Sequence, residues 1–126
     1  MKHTTWKLLG GYILMLLFIL MCNTANGQDL TISKTGITVV NFNANWNEAN
    51  AVKWVKNLDD CKIKYCDIAT DTKAGTKYEI VVVPTIVIFF EGEEVKRFQA
   101  DISFSMKATK EEVQEKINEI LMEDSW

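Results

Sequence analysis

The sequence holds one histidine, His3, one proline, Pro84, and six glycines in 126 residues. With histidine confined to the third position, the rest of the chain has no histidine to serve as a general base or a metal ligand. The sparse glycines form no phosphate-cradling loop; Glu91-Gly92-Glu93 reads only as a tight turn. Basic residues form no cluster, which argues against nucleic acid as a partner. Cysteine is limited to Cys22, Cys61 and Cys66, with no C-x-x-C spacing among them. Two cysteines and scattered acids lack the spacing of a zinc site, so no metal and no cofactor is expected.

What is present begins with a leader. Met1 to Lys7 carries two lysines and no acid, Leu8 to Cys22 is apolar throughout, and small residues stand at Ala25 and Gly27. This order reads as a signal peptide over 1–27, cleaved after Gly27, and predicts export to the periplasm or outside the cell. The apolar run of 15 residues is short against the ~20 that a spanning helix needs. The alternative is an uncleaved anchor over 8–22, the one case in which membrane contact is expected. Lipid attachment at Cys22 is disfavoured by the bulky Met21 before it. Residues 28–126 then form one domain with 12 basic and 17 acidic residues, a net charge of −5.

Along that domain the apolar period alternates between strand and helix. Leu30 and Ile32 alternate as a candidate edge strand over 28–34. Ile37 to Ala44 reads as a strand buried on both faces. Ala51, Val52, Trp54, Val55 and Leu58 fall at helical spacing from Asn47, and Asp59-Asp60 ends that helix. "KIKYCDI" is a second strand, and Asp71 to Tyr78 a short helical or loop connector. Ile86 to Phe90 and Glu94 to Gln99 make a hairpin, followed by a loop over 101–108 with Phe104 and Met106. Thr109 and Glu112 form a capping box for a last helix whose stripe is Val113, Ile117, Ile120 and Leu121. The order β-α-β-α-β-β-α predicts an α/β fold. Its sheet is mixed and four-stranded, five-stranded if 28–34 joins, with helices on both faces.

This order, together with "VVNFNANW" leaving the first strand and "VPTIVIFFEG" later, resembles the thioredoxin family across roughly 37–121. The resemblance implies that Pro84 is the family's cis-proline, in "VPT". It aligns Asn47 and Asn50 with the two family cysteines, so that Cys-x-x-Cys is replaced by Asn47-Glu48-Ala49-Asn50. It aligns Asn41 with the family's buried aspartate, keeping shape and hydrogen bonding without charge. Thiol–disulfide exchange needs a thiolate, which an amide cannot replace. The resemblance also implies a peptide groove near Trp46, Val83, Pro84, Thr85 and Ala100, where an extended peptide pairs with backbone beside the proline. Ala100 stands where the family has glycine. On the residues alone, Asn47 reads as an N-cap, Asn50 as an exposed first-turn residue, and Trp46 as either core or exposed groove border.

Cys61 and Cys66 remain as candidate reactive thiols. Five residues of strand span roughly 16 Å and point the two side chains to opposite faces, beyond the ~7 Å reach of a disulfide. Cys66 reads as a small buried hydrophobe and Cys61 as a strand-edge residue, with an intermolecular disulfide through Cys61 as the functional alternative. Two functions are therefore expected in competition. One is a non-catalytic module binding an extended peptide or protein. The other is a thiol–disulfide oxidoreductase working through Cys61 or Cys66. An accessory role in an envelope assembly is a third.

Overall fold

The computed structural model describes residues 30–125. The expected leader over 1–27 lies outside them.

Strand β1 (Ile37–Asn43) is buried along its whole length except Asn43, which explains its nearly unbroken apolar run. It pairs in parallel with β2 (Lys62–Asp67) and antiparallel with β3 (Thr85–Phe90), which pairs antiparallel with β4 (Glu93–Gln99). The sheet order β2-β1-β3-β4 is thus mixed and four-stranded, with β1 and β3 in the centre. The hairpin turns on two residues, Glu91 and Gly92, at φ 53° and 88°. Both central positions of such a tight turn need positive φ, which glycine supplies without strain.

Two cores lie on the two faces. On one, Val39, Ile86 and Ile88 of the sheet meet Val55 and the helix α2 (Lys110–Asp124) through Val113 and Ile117. On the other, Val40, Phe42, Val87 and Phe89 are covered by Ala74 of α1 (Thr72–Lys77) and by Tyr78. Each fully buried side chain of this kind stabilises by about 1.5–3 kcal/mol. Asp71 caps α1 by accepting from the Ala74 amide at 3.1 Å, and the Thr109 hydroxyl accepts from the Glu112 amide at 3.3 Å at the start of α2. Among the described residues no helix is long and apolar enough to cross a membrane.

Three sequence expectations change. The single helix from Asn47 is instead two 3-10 turns, Asn45–Asn50 and Lys53–Asn57, with Ala51 and Val52 extended between them. Val55 is buried inside the second turn and Val52 and Leu58 at its extended flanks, so the buried positions recur every three residues rather than along a continuous helical stripe. Residues 30–36 add no fifth strand. Side chains hold that segment to β2: the Lys64 ammonium donates to the Thr31 carbonyl and that of Lys62 to the Ser33 hydroxyl. Leu121 leaves the apolar stripe of α2 and is partly exposed, while Val113, Ile117 and Ile120 stay buried.

Candidate functional site

The end of β1, the loop before β3 and the loop after β4 meet at one end of the sheet, and Asn47 lies where they meet. Its side chain is buried, and its backbone, at φ −110° and ψ 22°, departs from helical geometry. The amide nitrogen donates to Asn43 Oδ1 at 3.1 Å, the Phe104 carbonyl at 3.1 Å and the Val83 carbonyl at 3.4 Å. An amide nitrogen carries two protons, so three acceptors share them. Its oxygen accepts from Asn50 Nδ2 at 3.0 Å. Asn47 is therefore not an N-cap. The position before this turn is Ala44, which makes no side-chain cap bond. Asn47 points across the turn and ties three chain segments together. Asn50 is exposed as expected, with its amide committed to Asn47.

The residues of the expected groove divide by depth. Val83, Pro84 and Thr85 are buried, and the Val83–Pro84 peptide is cis. The Ala100 amide donates to the Pro84 carbonyl at 3.0 Å, and the Thr85 hydroxyl to the Val82 carbonyl at 2.6 Å. Trp46, by contrast, is 62% exposed, which settles its two readings in favour of the surface. It meets Phe104 edge-to-face with ring centroids 5.2 Å apart. Phe104 stands at φ 60°, a left-handed backbone uncommon for a bulky residue. Asp101 shapes the turn beneath it by accepting from the Ser103 amide at 2.9 Å. The Ser103 hydroxyl bond to that carboxylate is the chief reason its pKa is held down at about 2. Sequence gives no sign of the Phe104–Trp46 contact beyond an aromatic alternating with Ile102 and Met106 in the loop over 101–108.

Asn41 lies on the face of β1 opposite Phe42 and faces Tyr65 of β2 in register. It is 5% exposed, and its amide oxygen has no hydrogen-bond partner among the described residues. The expectation that this amide keeps its hydrogen bonding is therefore corrected at its oxygen.

Neither thiol belongs to the Asn47 network. Cys61 precedes β2, partly buried against the α2-side core, and Cys66 is buried among the α1-side core residues. Both are free. Burial pushes each thiol up to about 11, aided by Asp60 and Asp59 at Cys61 and by Asp71 and Asp67 at Cys66. Among the described residues no three Cys, His, Asp or Glu side chains are arranged to hold a metal.

Solved structures share this architecture. A mutant thioredoxin from Halobacterium salinarum superposes with a TM-score of 0.54 at 19% identity, covering 69% of this chain and 76% of that one. The fold is the thioredoxin fold. Thioredoxin from Schistosoma mansoni gives a TM-score of 0.54 at 23% identity, over 68% of this chain and 78% of its own. That of Fasciola hepatica gives 0.51 at 24%, over 68% and 83%. No sequence-family model matches the chain, and no curated protein matches it. The shared thioredoxin fold thus rests on architecture, at identities where sequence carries little.

Proposed function

We propose that this is an exported thioredoxin-fold protein without dithiol chemistry, acting as a non-catalytic module that binds an extended peptide or protein. The observation that carries the reading is the Asn47 network. The sequence resemblance to thioredoxins assigns Asn47 and Asn50 to the two cysteine positions, and in the structure the two amides bond to each other and that of Asn47 also bonds to the backbone. No thiol stands at either position to attack a disulfide. The thiols elsewhere are pushed up to about 11, so few are thiolate near neutrality.

Binding would use the exposed Trp46–Phe104 pair, since large aromatic rings offer contact area at low entropic cost. Strand-like pairing beside Pro84 would have to share or displace the bond from Asn47 to the Val83 carbonyl. Export rests on the leader-like order of residues 1–27, and retention of 8–22 would instead leave the protein anchored. The purified protein should fail to reduce insulin in the presence of dithiothreitol above the reagent's own rate. Turnover that disappears in Cys61→Ala or Cys66→Ala would move the protein to the oxidoreductase class.

A further inference from the structure

Phe104 occupies a backbone conformation that its own side chain disfavours. At φ 60° it lies in the left-handed region, where glycine sits freely and a bulky residue is held only when its surroundings over-determine it. Here they do. The Phe104 amide donates to the Asp101 carbonyl at 3.1 Å, and its carbonyl accepts from Asn47 Nδ2 at 3.1 Å. Asp101 is fixed in turn. Its amide donates to the Ser105 carbonyl at 3.3 Å, and its carboxylate accepts from the Ser103 amide at 2.9 Å and from the Ser103 hydroxyl. The loop is therefore closed on both sides of Phe104 and tied from outside by Asn47. This arrangement does not serve the interior. Phe104 belongs to neither core and is 40% exposed, and the aromatic ring it meets is that of Trp46, itself mostly exposed. Ile102, two residues earlier in the same loop, is 97% exposed. Backbone strain that fills no core is of the kind found where a surface is held ready for a ligand.

We propose that Asp101 and Asn47 are positioning residues for the binding surface, holding the loop over 101–105 so that Phe104 is set edge-to-face against Trp46 before a partner arrives. This rests on the peptide-binding role proposed above and adds to it the loop that prepares the contact. A loop ordered in advance need not be ordered on binding, which removes an entropic cost from association. With Ile102 in the same loop, the preset ring pair suits an apolar side chain of the extended partner.

The ring pair can be read directly by NMR of the purified protein. Phe104→Leu removes the ring current that displaces the Trp46 indole proton resonances, and so measures that displacement. Asp101→Ala should lose the same displacement while Trp54, packed against the α2-side core, stays unmoved. Asp101→Asn should restore it, because an amide oxygen still accepts from Ser103. Asn47→Ala should act like Asp101→Ala, and Asp101, outside both cores, decides the matter if the Asn47 variant does not fold. For binding, the probe is a peptide recovered on the native protein from a random linear library displayed on phage. Asp101→Ala should weaken its affinity about tenfold, and Asp101→Asn should recover it. Unmoved Trp46 resonances in Asp101→Ala, a displacement that includes Trp54, no rescue by Asp101→Asn, or unchanged peptide affinity would each overturn the positioning role. Recovery of no peptide would instead overturn the binding role, with the Trp46 resonances still deciding whether the loop presets the pair.

Discussion

Two asparagines six residues apart, Asn41 and Asn47, are buried to almost the same degree, at 5% and 4% exposure, and live in opposite circumstances. Asn47 reaches three acceptors and accepts from Asn50, so its amide acts as a cross-link between the end of β1, the loop before β3 and the loop after β4. The Asn41 oxygen has no partner among the described residues. Burial of a polar group is therefore no measure of its contribution. A bonded amide holds neighbouring segments together, whereas an unbonded acceptor carries a desolvation cost that no hydrogen bond offsets.

The comparison is broken most severely at Asn47. Asn47→Ala removes the donor from two backbone carbonyls and should lower unfolding stability by about 3 kcal/mol in urea titration. A loss under about 1 kcal/mol would mean that the network holds nothing. At Asn41 the sign should reverse. Asn41→Leu removes an unsatisfied acceptor and should raise stability by about 1 kcal/mol in the same experiment. A comparable loss there would show that the oxygen is bonded in solution. Trp46→Ala should cost only about 0.5–1 kcal/mol, the worth of an edge-to-face pair, because the ring is mostly exposed. Its larger effect should fall on partner binding.

The thiols add a pH test away from both amides. Their folded pKa values, about 11, lie above the ordinary value of 9.0, so folding favours the protonated form. That contribution to stability is complete below pH 9.0 and should fade as pH rises towards about 11. Thiol alkylation of the folded protein should stay slow at pH 8 and accelerate over the same interval. Fast labelling at pH 8 would mark a reactive cysteine.

The parts of the fold that could be read from sequence are those with redundant signals. β1 announced itself by its buried run, the hairpin by Glu91-Gly92, and α2 by Thr109 with the Val113–Ile117–Ile120 stripe. The 3-10 turns could not be told from a helix, because Val52, Val55 and Leu58 fit a period of three, and Val55 and Leu58 also sit on a helical stripe with Ala51. The candidate site was legible only in part. The amide cluster marks the junction at which Asn47 lies, but whether an asparagine caps, bridges or stands unbonded depends on groups distant in sequence. Asn47 finds Val83 and Phe104, 36 and 57 residues away, and no local pattern encodes those contacts.

The central claim is that the amides at positions 47 and 50 remove dithiol chemistry from a thioredoxin fold. It is tested most directly by assaying insulin reduction for the native protein beside an Asn47→Cys/Asn50→Cys variant. The account predicts no activity above the dithiothreitol background for the native protein and measurable turnover for the variant. Turnover by the native protein that is lost on removing Cys61 or Cys66 would contradict it.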